Sequence, residues 1–523
     1  MAAATGRIGT LERLALACLL PGFQGADGPP DWLRRQLAAG LGGVALFARN
    51  VGSPAQVAAL TQALRTEAGG PLLVAIDEEG GDVTRLEAAT GSSYPGNLAL
   101  GVVGDVALTR AVGAAIGADL AATGINLNLA PVADVNSNPE NPVIGVRSFG
   151  SDPARVAAHT VAMVEGLQGA GVAACVKHFP GHGDTATDSH LGVPVVRDDA
   201  ATLAAGALVP FRAAIRAGVR CVMTAHLRVP AFGEELATVN RSVLTGLLRE
   251  ELGFDGLVIT DGLEMRALSA TVGFAEGAVR ALAAGADALC VGGGFADEAT
   301  VNLLVEALTN AVREGRLGED RLAAAAARVR HTAAWTAWVA AGAAAAAAAA
   351  PTALGGPPEF SLTSSEGGGF GLSTGRRVGL AAARRAVRAE GPVRVGPGAL
   401  VIEASAEVSL AVGDVPWGVG AVLAALDPTA TVVRCAPPGT APPLDLGQTE
   451  AEAAGRPLVL VVRDLHRHDW QHELAAALLA GRPDTVVVEM GLPAKRPEGA
   501  AAWVRTYGAA AVNAVAAAEL LLG

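Results

Sequence analysis

Before residue 330 the chain alternates eight times between a short apolar run and a stretch with helical patterning, a rhythm few folds accommodate. The runs are Leu16–Phe23, Gly43–Ala48, Leu72–Asp77, Ile125–Val132, Val172–His178, Cys221–His226, Leu257–Asp261 and Ala288–Gly292. They lack the every-second-residue alternation of half-exposed strands, as strands covered on both faces do. The intervening segments carry helix signals. Ser53-Pro54 and Asp152-Pro153 each join an N-capping side chain to a proline at the first helical position. Val156, Met163, Val164 and Leu167 share one helical face, and Ser242–Leu252 stops at Gly253. Eight such units point to an α/β fold of the closed (β/α)8 TIM type, with an open doubly wound sheet as the rival.

The remaining length calls for a second, smaller α/β domain. Residues 340–373 pass from an alanine run to Pro351, Pro357-Pro358 and Gly367–Gly369, a linker composition. The chain then divides into a barrel over 1–339, the linker over 340–373, and a C-terminal domain over 374–523. In the last part the strand candidates are Ala399–Ile402, Thr431–Val433, Leu458–Val462 and Thr485–Met490. Its His466, His468 and His472 read as a solvated loop entering a helix rather than as metal ligands.

Composition excludes several classes. Among 523 residues, 51% are hydrophobic and 17% charged, so the chain has the material for large cores. A net charge of −12 argues against nucleic acid as the main partner. Five widely spaced cysteines fit buried thiols in a reducing compartment. The run Leu14–Leu20, which includes Cys18, is too short for a signal-peptide core and has Glu12 just upstream. It reads as the first buried strand, and the expected location is the cytoplasm. The alanine-dominated 332–358 segment, broken by Gly342 and Pro351, is no membrane span.

In a barrel the chemistry sits at the C-terminal ends of the strands. Those ends carry Asp77, Asp134 just past the fourth run, Lys177-His178, His226 and Asp261. The fifth run leads into a loop with Pro180, Gly181, His182, Gly183, Asp188, Ser189 and His190. Structural loops seldom gather so many proton-moving groups. Asp261 can cap the turn that follows it or attack an electrophilic carbon. Asp188 can hold one nitrogen of His190 so that the other gives and takes a proton near neutral pH.

The stretch Lys177-His178-Phe179-Pro180-Gly181-His182-Gly183-Asp184-Thr185, followed by Asp188-Ser189-His190, resembles the signature of family-three glycoside hydrolases of the β-N-acetylhexosaminidase branch, two-domain type. Phe47–Asn50, Ile76–Gly81, Ala130–Val135, Arg147-Ser148-Phe149 and Ile259–Leu263 extend the likeness in order. The resemblance implies retaining hydrolysis through a covalent glycosyl-enzyme, with Asp261 as nucleophile and His190, oriented by Asp188, as general acid and then base. It implies sugar binding by Asp77, Arg85, Arg147, Lys177 and His178, and neither cofactor nor metal. The implied substrate is a β-linked N-acetylglucosamine glycoside, with muropeptides in cell-wall recycling as the natural source, and monomer is the default state. Two positions depart from the family: Asp82 stands where arginine is common, and Gly262 where an acidic residue is common in single-domain members. A phosphorylase, a substrate-assisted hexosaminidase using Asp77-Glu78, a metal-dependent barrel hydrolase using His178, His182, His226 and Asp261, and a non-catalytic sugar-binding protein stay open as alternatives.

Overall fold

The structure is a computed structural model and describes residues 9–294, 297–349, 374–405, 412–439 and 454–523. It divides into two compact units, one of residues 1–78, 113–135 and 152–357, the other of 79–112, 136–151 and 358–523. Two segments that lie within the first 339 residues thus pack with the C-terminal part. Of the 340–373 stretch, residues up to Ala349 continue the helix Glu319–Ala349, and 350–373 lie outside the described residues.

The first unit is a (β/α)8 TIM-type barrel. Its strands are β1 (Leu19–Pro21), β2 (Gly43–Leu46), β3 (Leu73–Ile76), β4 (Leu127–Asn128), β5 (Ala173–Phe179), β6 (Cys221–Thr224), β7 (Leu257–Thr260) and β8 (Leu289–Val291). From β2 to β7 each pairs in parallel with the next. A parallel bridge between Ile259 and Ala288 joins β7 to the start of β8, and β8 pairs with β1. All eight expected strands form, most of them shorter than the apolar runs. The exception in character is the first: Thr10–Ala17 is a helix, and only Leu19–Pro21 is strand. Leucine and alanine without β-branched neighbours favour helix, and a short apolar run does not distinguish the two. The helix starts signalled by Ser53 and Asp152 also form, each side chain accepting a backbone N–H three residues on, from Gln56 and Arg155.

Side chains alternate along a strand, so every second residue faces the barrel axis. The inward set includes Leu73 and Ala75 on β3, Ala173 and Cys175 on β5, and Leu257 and Ile259 on β7, all buried in one apolar cluster. The next positions in that register are Asp77, Lys177 and Asp261. The packed core therefore ends, at the C-terminal rim, in a layer of charged groups aimed inward.

In the second unit six strands form one sheet: β9 (Arg388–Glu390), β10 (Leu400–Ala404), β11 (Thr431–Cys435), β12 (Leu458–Val462), β13 (Val486–Glu489) and β14 (Ala502–Arg505). Their order is β9-β14-β13-β12-β10-β11, parallel except for β9. β9 and β14 were not among the sequence candidates. β9 is short, polar and at the sheet edge, so it has no buried face to betray it. Among the described residues no helix is long and apolar enough to cross a membrane. All five cysteines are free and buried, and Cys18 donates to the Leu14 carbonyl at 3.3 Å.

Candidate active site

The rim layer is built from three strand ends. Lys177 Nζ lies 2.7 Å from Asp77 Oδ1, the lysine buried and the aspartate partly open to solvent. Such a charge-assisted bond fixes both side chains. Asp261 follows β7 directly, and its Oδ1 accepts the Gly262 N–H at 2.8 Å. Burial would raise the Asp261 carboxyl, but His178, His226 and His190 together outweigh it and hold it below its ordinary range. Three imidazoles from two strand ends and one loop thus share an electrostatic neighbourhood with this carboxylate.

Asp134 organises the start of the loop. It is fully buried, and its Oδ2 lies 2.7 Å from His178 Nδ1. Its Oδ1 accepts the backbone N–H of His182 at 2.6 Å and that of His178 at 3.3 Å. Burial pushes this carboxyl up, yet His178, by charge and hydrogen bond, and His182 bring it below the usual value. As a carboxylate it only accepts, so His178 presents Nδ1–H to it and turns Nε2 elsewhere. The sequence marked Asp134 as a strand-end residue without giving it this partner; only its neighbourhood across the β4–β5 edge does so.

The loop then places His182 and the dyad. His182 is buried, with Nδ1 2.7 Å from Thr185 Oγ1, and burial followed by repulsion from His178 pushes it down to about 4. It is neutral near pH 7 and serves the loop's architecture. Asp188 Oδ1 lies 2.7 Å from His190 Nδ1 and also accepts the His190 backbone N–H at 2.8 Å. Burial raises the Asp188 carboxyl, and the hydrogen bonds from His190 more than reverse it. The His190 side chain keeps about a quarter of its surface exposed.

Arg85 and Arg147 lie in the second unit. Arg147 is buried and grips Glu79 with two bonds, Nε–Oε2 at 3.0 Å and Nη2–Oε1 at 2.8 Å, while Nη1 donates to the Val143 carbonyl. Arg85 donates to the Val412 carbonyl at 2.7 Å. The unusual Asp82 has a structural explanation here. It is buried, paired with the Arg463 guanidinium, and accepts the Ala509 N–H at 2.7 Å. Its partners come from the C-terminal part of the chain. His466, from the histidine cluster, meets the Pro139 carbonyl. Among the described residues no three His, Cys, Asp or Glu side chains converge as a metal site.

A closed (β/α)8 barrel carries Asp261 just after β7 and the Lys177–Asp77 pair at its strand ends, with the Asp188–His190 dyad on the loop after β5, and it is a barrel of the glycosidase class. The chain belongs to glycosyl hydrolase family 3: residues 31–332 match the family's N-terminal domain. It is 37% identical over 314 residues to a beta-hexosaminidase A of Pseudoalteromonas piscicida, a match covering 55% of this chain and about half, 52%, of that protein. It is 38% identical over 282 residues to a beta-hexosaminidase of Thiobacillus denitrificans, covering 52% of this chain and 78% of the relative. Among solved structures it resembles a family 3 beta-N-acetylglucosaminidase from Paenibacillus sp. str. FPU-7. There the TM-score is 0.84 and identity 32%, with 99% of this chain and 97% of that one covered. A beta-glucoside phosphorylase shares the fold at TM-score 0.75 and 18% identity.

Proposed function

We propose that the protein is a retaining, exo-acting β-N-acetylhexosaminidase that releases terminal N-acetylglucosamine from β-linked glycosides. The observation that carries this reading is the Asp188–His190 bond on a loop whose imidazole lies within the electrostatic reach of the ionised Asp261. In the first step Asp261 attacks the anomeric carbon while His190 protonates the departing oxygen. The bond to the aglycone breaks as the ester to Asp261 forms, through an oxocarbenium-like transition state. In the second step His190, now neutral, takes a proton from water, which displaces Asp261 and restores the carboxylate. A neutral base repels an anionic acceptor or leaving group less than a carboxylate would.

Lys177 and Asp77 bracket ring hydroxyls in this scheme, and His178 offers Nε2 to a substituent. Arg85 and Arg147 stand as further sugar-binding candidates through the family resemblance. Muropeptides are the natural substrate class we favour, in cell-wall recycling. Five buried free thiols accord with the cytoplasm as its location. We take the working form to be a monomer, without cofactor or metal.

A panel of p-nitrophenyl glycosides, assayed with and without phosphate, tests the reading. N-acetylglucosaminide turnover should dominate, yield free sugar in both buffers and survive a strong chelator. N-acetylglucosamine 1-phosphate as the main product would identify a phosphorylase instead. A fluorinated substrate analogue should leave its glycosyl adduct on Asp261; an adduct elsewhere, or none with turnover intact in Asp261→Asn, would overturn the assignment.

A further inference from the structure

In the second unit the chain reverses sharply over residues 79–83. Gly80 and Gly81 have φ of +76° and +64°, a backbone that glycine takes readily and other residues rarely. The Glu79 N–H reaches the Val83 carbonyl at 3.0 Å and closes the turn. A Cβ at Gly81 would lie 2.5 Å from the Gly96 α-carbon, so the turn is also packed tightly. Two sugar-binding candidates hang on it. Arg147 is held by Glu79 through two bonds, and Arg85 follows two residues after Val83.

Asp82 stands at the tip of this turn and is anchored by residues more than 380 positions away. Its Oδ1 accepts the Ala509 N–H at 2.7 Å, and its Oδ2 pairs with the Arg463 guanidinium. Arg463 directly follows β12 and Ala509 lies just beyond β14, so two neighbouring loops of the C-terminal sheet hold the tip. The same part of the chain also takes the Arg85 guanidinium, at the Val412 carbonyl. We propose that Arg463 is a positioning residue: through Asp82 it fixes the 79–83 turn, and so sets where Arg147 and Arg85 meet the sugar. This gives the C-terminal domain a part in substrate binding, and it rests on the reading of Arg85 and Arg147 as sugar-binding groups. Without the guanidinium, Asp82 is a buried charge left with one amide, and it gains by turning out to water. The turn moves with it. Losing one hydrogen bond to a charged group is worth about 10- to 100-fold in affinity.

The test separates binding from folding in the full chain. Arg463→Met removes the cation. Asp82→Ala frees the tip while burying no lone carboxylate, and it leaves Arg463 with Asp464, 4.0 Å from its Nε, as a second partner. The proposal expects each to raise KM for p-nitrophenyl N-acetylglucosaminide and Ki for N-acetylglucosamine by about 10-fold. The rate ratio between aryl and poor leaving groups should stay native, since the Asp188–His190 dyad is untouched. A merely structural role lowers the folded fraction, which cuts the apparent kcat and leaves KM and Ki unchanged; that pattern would overturn the proposal. Should Arg463→Met fail to fold, Asp82→Ala decides alone, and native KM and Ki there overturn it. Arg85→Ala, run in parallel, keeps the two readings apart. If it weakens binding while Asp82→Ala binds natively, the sugar site stands and Arg463 does not position it; if Arg85→Ala itself binds natively, the sugar-binding reading fails first.

Discussion

Replacing Asp134 separates charge, shape and tautomer in one position. The native carboxylate takes three donors: the amides of His178 and His182, and the His178 ring N–H. Asp134→Ala leaves all three in a site with no solvent access. Each stranded buried donor costs about 1–3 kcal/mol, and removing one partner of a buried pair typically costs about 3–5 kcal/mol. A loss of roughly 3–5 kcal/mol lowers the melting temperature by about 6–10 °C for a domain of this size. Asp134→Asn behaves differently. Its oxygen can still take the two amides, but its NH2 now faces His178 Nδ1. The ring must offer a lone pair there and move its proton to Nε2, which reverses the bond it presents to a substrate. We expect Asp134→Asn to melt within about 2 °C of the native protein yet to lose roughly 10- to 100-fold in kcat/KM, as expected when a group made to pair is left facing its like. Differential scanning calorimetry with steady-state kinetics on a p-nitrophenyl N-acetylglucosaminide measures both. Native kcat/KM in a folded Asp134→Asn protein would refute the tautomer argument, and an unshifted Asp134→Ala melt would refute the buried-carboxylate argument. The sign with pH also follows. The folded-state pKa is depressed, so the carboxylate's contribution is present above its unfolded value near 4 and is lost as pH falls through the lower folded value.

Other expectations concern the loop and the second unit. Asp188→Ala should slow glycosides with poor leaving groups by about 100-fold and p-nitrophenyl glycosides much less, since only the former need protonation; equal losses on both would count against His190 as the acid. His182 is pushed down to about 4 from its ordinary 6.5, so between those values the unfolded chain binds a proton that the folded one refuses. Stability should therefore rise with pH from 4 to 6.5 and level off above, and thermal melts of His182→Gln across that range should show a shallower slope. Arg463→Met strands the buried Asp82 carboxylate and should destabilise the second unit by about 3–5 kcal/mol, read by urea unfolding. The double variant with Asp82→Asn should recover part of that loss.

Much of this was legible in the chain itself. Eight apolar runs without alternation define eight strands buried on both faces, which a closed barrel or an open doubly wound sheet could hold, and the barrel was the favoured reading. Because side chains alternate with a period of two, an apolar run that ends in Asp77, Lys177 or Asp261 carries that residue inward at the rim. The site's charged layer is thus written in local sequence. So is the Asp188–His190 dyad, whose members stand two residues apart.

What the sequence left undecided depends on groups distant along the chain. Leu14–Leu20 reads as a strand, but packing made it a helix up to Ala17. Asp134 acquires its meaning from His178, 44 residues away, and the buried His226 meets the Gly262 carbonyl, 36 residues away. Asp82 departs from its family's pattern because Arg463, 381 residues on, supplies the opposite charge. Local pattern marks which segments become buried strands, since burial acts over a few residues. Partners, proton positions and the grouping of residues 79–112 and 136–151 with the C-terminal part depend on which surfaces meet when the chain closes, and only the folded structure decides that.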